Sequence, residues 1–212
     1  MGLQNRVDPG GYICFTPARG EFMGNRGGAL HSDDQRIVRT QKSKAWIICL
    51  TEFKGWKREL MQPGRYTELF FLDEVTALAA GHRPCFECRR KDALAFAEAM
   101  GRSRNEKRPP ARAIDNLLNS ERRHSADDPA RLLTPNAVAT LPDGAMIRHG
   151  NRFQAVRGGM LLQWSFEGYG APVGFETLTP APIYLATPPS TVAALRQGYL
   201  PAFHSRAWKP AT

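Results

Sequence analysis

Short apolar runs punctuated by glycine and proline fill the first third of the chain. Residues 12–15, Tyr-Ile-Cys-Phe, read as a strand, and residues 21–23 as another. Gly24, Gly27 and Gly28 surround Asn25-Arg26, which predicts a tight loop, because glycine adopts positive φ freely. "QRIVRT" (35–40) and "KAWIICLTEF" (44–53) both look like strands and are joined by polar residues, which predicts a hairpin. The continuous apolar run 46–50 suits a buried central strand. Pro63-Gly64 marks a turn, and residues 66–72 read as a strand.

The pattern then changes period. Asp73 is a good N-cap for a helix over 74–80, and Gly81 is placed to end it. "RRKDALAFAEAM" (89–100) predicts a second helix with Leu94, Phe96 and Ala97 toward the core. Residues 101–112 are almost wholly polar and contain Pro109-Pro110, so they read as a linker before a short helix over 114–124. From residue 141 onward, turns at 142–144, 149–151 and 158–159 separate short alternating runs, which predicts an antiparallel meander. One more strand is expected at 183–185, then a helix capped by Ser190 and ending at Gly198. The predicted class is α+β. The predicted organisation is a metal-binding domain over 1–100, a charged linker with a short helix over 101–140, and a β-rich module over 141–212.

Charge and composition narrow the context. The 212 residues include 29 basic and 20 acidic side chains, a formal net charge of +9. Each of the stretches 1–100, 101–134 and 135–212 carries +3, so the excess is spread and there is no basic tail. Such an excess favours contact with polyanions, and DNA or another nucleic acid is the expected partner. No run approaches the roughly 18 apolar residues of a membrane helix, and no apolar stretch follows the N-terminus, so no membrane partner is expected. A cytoplasmic protein follows from that reading, and four cysteines in such a chain are no disulfide framework.

Those cysteines carry the sharpest chemical signal. Cys85 and Cys88 stand three apart in "AAGHRPCFECRRKD" (79–92). That spacing brings two sulfurs to one point, as tetrahedral zinc requires. A redox pair shares the spacing but belongs at the start of a helix after a strand. Here it follows a helix and Pro84, which favours a metal. Cys49, in the strongest strand, can reach the pair from a neighbouring strand. Cys14 and His31 both remain open as the fourth ligand, and His31 is carried forward because it lies just past a glycine loop. His82 is expected to point away or to support a ligand from behind.

The segment "TELFFLDEVTALAAGHRPCFECRRKD" (67–92) resembles the zinc-binding N-terminal domain of the Ada DNA methyl-phosphotriester repair protein, and the resemblance reaches back to about Trp46. The family has an aromatic strand, an alanine-rich helix and then Ala-Gly-aromatic-Arg-Pro-Cys-x-x-Cys. His82 stands at the aromatic position. The resemblance implies that Cys85 and Cys88 hold Zn2+, that Cys49 is the upstream ligand, and that methyl transfer to a zinc-bound thiolate is the family's activity. The family also has a second upstream cysteine, in Cys-x-x-x-Cys. Here Leu50-Thr51-Glu52-Phe53 follow Cys49, so the four-cysteine set is incomplete.

Arg65, Arg83, Arg89 and Arg90 surround the cysteine pair in sequence. With Lys54, Lys57 and Arg58 they could form a basic nucleic-acid face, with Trp56 and Tyr66 to stack on bases. "GNRGGALHSDD" (24–34) offers Arg26, His31, Asp33 and Asp34 as an anion-binding or catalytic group, although no phosphate-loop pattern is present. Gly-x-Ser-x-Gly and His-Glu-x-x-His are also absent from the chain. The leading expectation is a zinc-binding protein that contacts nucleic acid, with a mainly structural metal. The alternatives are zinc-thiolate alkyl transfer at Cys49 and a protein-interaction module.

Overall fold

The computed structural model describes residues 2–55, 59–124 and 126–210. The fold is α+β, with helices and two six-stranded sheets. The first sheet uses β1 (Gln4–Val7), β2 (Ile13–Phe15), β3 (Phe22–Asn25), β4 (Ile47–Leu50), β5 (Leu69–Phe71) and β6 (Arg83–Pro84). They lie in the order β2-β1-β5-β3-β4-β6. β4 pairs antiparallel with β3, Met23 opposite Cys49, and parallel with β6, Ile48 opposite Pro84. Both edges of β4 are therefore taken. The expected hairpin with 35–40 does not form; that stretch makes only a His31–Ile37 bridge, and Val38 points to solvent.

Helix α1 (Glu74–Ala79) starts as the sequence predicts. The Asp73 carboxylate accepts the Thr76 N–H at 2.8 Å, and Gly81 takes φ +81° to turn the chain into β6. α2 (Arg90–Ser103) buries Ala93, Phe96, Ala97 and Met100, while Leu94 is half-buried. α3 (Ala111–Arg122) buries Ile114 and Leu118 completely.

The second sheet begins earlier than predicted. β7 (Leu132–Leu133) precedes α4 (Pro135–Ala139) and forms the sheet edge. The meander follows as β8 (Met146–His149), β9 (Arg152–Arg157), β10 (Met160–Ser165) and β11 (Gly168–Val173), and β12 (Ile183–Leu185) inserts between β8 and β7. Every pairing in this sheet is antiparallel. α5 (Pro189–Arg196) then returns to the first half of the chain. Its start is held differently from expectation: the Glu121 carboxylate accepts the Ser190 N–H at 3.1 Å and its hydroxyl at 2.7 Å, so Ser190 lies inside the helix and is not its cap.

The main core ignores the predicted boundaries at 100 and 140. Val7, Ile48, Leu69 and Phe71 of the first sheet share it with Phe96, Ile114, Leu118, Val192, Leu195 and Tyr199. The helix expected over 114–124 spans 111–122, and its Ile114 and Leu118 belong to this core. α1 joins the two sheets, since Val75 and Ala79 pack with Met146 and Ala155. The first residues of α1 also hold the far end of the chain. Asp73 accepts from the Tyr169 hydroxyl at 2.9 Å and the His204 N–H at 3.0 Å. Thr76 Oγ1 donates to Asp73 and accepts from Trp164 Nε1.

Replacing Asp73 tests this junction. Asp73→Ala strands four buried donors, so unfolding free energy falls by about 3 kcal/mol or more, with a smaller loss for Asp73→Asn. Leu200→Ser, at an 84% exposed site, leaves stability within about 0.5 kcal/mol. Urea denaturation midpoints read both effects.

Candidate metal centre

The β4–β6 seam assembles the sulfurs. Cys49 follows Ile48 on β4, and Cys85 follows Pro84 on β6; the Cys85 N–H donates to Ile48 O at 2.9 Å. A turn then brings Cys88 back: the Glu87 N–H points to Cys85 Sγ at 3.4 Å, and the Arg89 N–H donates to Cys85 O at 3.1 Å. The three Sγ atoms lie within 4.8 Å of one another, and all are free thiols. Met23, opposite Cys49, packs with Phe70 and Ile47 around them as an apolar wall.

This crowding decides the ionisation of the group. Hydrogen bonds from Cys49 and Cys88 push the Cys85 thiol far down. Cys49 is pushed up by its bonds to Cys85 and Cys88 and by burial. Cys88 gains from its bond with Cys49, but its bond with Cys85 and burial outweigh that and raise it. Sulfurs this close cannot all carry negative charge without a cation among them. A cation supplies the charge that further deprotonation needs. The donor set fits a thiophilic metal ion, and Cys49, Cys85 and Cys88 could hold one.

The expected fourth ligand does not join them. His31 Nδ1 lies 2.6 Å from Thr67 Oγ1 and Nε2 lies 3.3 Å from Gln62 O, so both ring nitrogens are engaged elsewhere. Cys14 sits on β2, four strands from β4, a separation of about 19 Å at ordinary strand spacing. Among the described residues no fourth His, Cys, Asp or Glu completes the cluster. His82 turns away from it: the ring packs 4.7 Å from Phe71 and 4.9 Å from Trp46 and accepts from Arg26 Nε at 3.3 Å. Burial, then the charges of Arg26 and Arg122, hold it neutral.

Of the four arginines expected on a basic face, two are buried. Arg83 is buried and grips Asp115 with two bonds, at 2.9 and 3.0 Å. Arg89 is buried between Glu74 and Asp92, at 2.9 Å from each. Their charges are neutralised inside the protein, and neither can reach a phosphate. Arg65 and Arg90 are exposed. Trp56, Lys57 and Arg58 lie outside the described residues. The anion group expected at 24–34 is dispersed: Asp34 pairs with Arg36 at the surface, and Arg26 is fully buried. Arg26 instead stacks 3.7 Å from the Trp46 ring centre, and Arg122 stacks on the same ring at 4.1 Å. Arg122 gave no signal in the sequence beyond one more cation in a charged helix.

No protein-family model, curated protein or solved structure matches this chain. Among the described residues, no helix is long and apolar enough to cross a membrane.

The cluster predicts which substitutions matter. Cys49→Ser, Cys85→Ser and Cys88→Ser each lose the capacity to retain an added thiophilic metal ion, whereas Cys14→Ser and His31→Ala retain it as the parent does. Elemental analysis of the purified variants checks this.

Proposed function

We propose that this is a zinc-binding protein whose metal fastens the β4–β6 seam, and which contacts nucleic acid through its basic surface. The convergence of three sulfurs on that seam carries the reading. Zinc suits it because thiolates are among its preferred ligands, and a metal held only by the folded chain supplies folding energy directly. The resemblance to the Ada zinc domain points the same way. The nucleic-acid part is supported by the net charge of +9 and by the exposed Arg65 and Arg90.

A structural metal is favoured over alkyl transfer by the setting of Cys49. Cys49 is only 7% exposed and packs with Met23 and Cys85. A sulfur that accepts an alkyl group needs one open face.

Three measurements test the reading. Chelation lowers the thermal midpoint, and added zinc restores it better than magnesium does. Incubation with a methyl-phosphotriester oligonucleotide leaves the mass of every cysteine peptide unchanged. Affinity for DNA falls steeply with salt, and Arg65→Ala and Arg90→Ala each reduce the salt slope by about 1. A metal-free protein of unchanged stability refutes the zinc reading, and salt-independent binding refutes the nucleic-acid reading.

A further inference from the structure

A cleft of about 320 Å³ opens where the two sheets meet. That is the lower end of the range in which small organic ligands are held. One wall comes from the β1–β2 loop and from Trp46. The opposite wall comes from β8, β9 and β12, and the end of α3 closes one side. Its lining combines flat apolar surfaces with cations. Tyr12, Phe153 and Tyr184 supply aromatic rings, and Arg122, Arg131 and Arg148 supply guanidinium groups.

Backbone carbonyls hold Arg122 and Arg131 in position without pairing their charge. Arg122 donates to Gly81 O at 2.7 Å and Lys44 O at 2.8 Å, and stacks on Trp46. Its Nε is buried and has no hydrogen-bond partner among the described residues. Arg131 donates to Glu121 O at 2.7 Å and to Leu185 O and Ala186 O, each at 3.5 Å. Among the described residues neither makes an ion pair. Arg148 alone is paired, with Asp127, and lies 4.8 Å from the Tyr184 ring centre.

Counter-charges stand behind the wall: the fields of Glu121 and Asp128 act on Arg131 without offsetting its burial. The Glu121 carboxylate also accepts from Ser190, and Asp128 bonds His124 and accepts the Ala130 N–H. Asp8 accepts the Tyr12 N–H. The lining itself therefore holds three cations against one carboxylate. Burial draws Arg122 down to about 10, despite Asp115 and Glu121 nearby, which means its charge is under-compensated. Arg26, just behind Trp46, is drawn down to about 9 by burial and by Arg122 itself.

An occupant should bring a flat ring for the aromatic surfaces and close to two negative charges for the arginines. A phosphate monoester carries that charge and offers oxygens that match guanidinium donors. We propose that this cleft binds a nucleotide that ends in a phosphate monoester, its base against the aromatic rings and its phosphate on Arg122 and Arg131. An internal phosphodiester brings one charge only and fits less well. Two sources share this chemistry: a free mononucleotide and the 5′-phosphorylated end of a single strand. Only the second source rests on the nucleic-acid reading above.

Calorimetry on the metal-loaded protein separates the outcomes. The probes are adenosine and uridine 5′-monophosphates, the matching nucleosides, inorganic phosphate, and one single-stranded oligonucleotide with a 5′-phosphate or a 5′-hydroxyl. The proposal expects a mononucleotide or the 5′-phosphorylated strand to bind at least tenfold tighter than its counterpart without the phosphate. Arg131→Gln removes that preference. Tyr12→Ala, at an exposed rim position, weakens both probes severalfold without touching the core. Thermal melting of each variant reports that it remains folded. Strand binding that is salt-dependent but indifferent to the 5′-phosphate overturns the cleft and leaves the nucleic-acid reading standing. Mononucleotide binding with no strand binding does the reverse. A phosphate preference that survives in folded Arg131→Gln, or binding that folded Tyr12→Ala leaves unchanged, also overturns the proposal.

Discussion

The buried pair Glu74–Arg89 is the constraint on which the rest of the architecture leans. Glu74 is the first residue of α1, and Arg89 follows the second cysteine of the Cys85–Cys88 turn. Their side chains are 1% and 4% exposed. Burial disfavours the Arg89 charge, but the hydrogen bond and field of Glu74 outweigh it and hold the guanidinium above its ordinary value. The same carboxylate accepts the Ala202 N–H at 2.9 Å. One buried anion thus ties together the helix between the sheets, the end of the cysteine turn and the C-terminal segment. Removing one partner of such a pair costs about 3 to 5 kcal/mol, because the other charge is left uncompensated.

This pair also explains why the cysteine turn was legible in the sequence while its cations were misread. Cys85 and Cys88 are a local signal: two residues, one turn. Cys49 was legible because an apolar run marks a central strand, and a central strand has neighbours on both sides. The fates of Arg83 and Arg89 are set by Asp115 and Glu74, which are 32 and 15 residues away. No local pattern carries that information. His31 fails as a ligand for the same reason, since Thr67 and Gln62 claim its nitrogens across the fold.

The same division holds for the elements. Asp73 and Gly81 bound α1 through chemistry within a few residues, and the turns of the meander work by the same local rule. The false hairpin shows the limit. "QRIVRT" has strand composition, but pairing is a competition for edges, and β3 and β6 occupy both edges of β4. The main core likewise spans the expected boundaries at 100 and 140. A polar stretch at 101–112 looks like a linker, yet Ile114 and Leu118 just beyond it are core residues. A run of surface residues between two helices is indistinguishable by composition from a linker between two domains.

The β4–β6 ladder has a consequence at each of its ends. At one end it sets Cys49 beside Cys85. At the other, Arg83 N–H donates to Trp46 O at 3.0 Å, which fixes Trp46 just before β4 next to His82 just before β6. His82 accepts from Arg26 through Nε2, so its remaining proton sits on Nδ1, which is buried without a partner among the described residues. A neutral histidine is the only form that tolerates Arg26 and Arg122 so close. Trp46 can then offer its ring to both guanidiniums, an interaction that strengthens as water is excluded. A change at the sulfurs that loosened this seam would also shift Trp46, and with it Arg122 at the wall of the cleft. The cysteine cluster and the arginine-lined cleft are separate in chemistry, but they share one short ladder as their support.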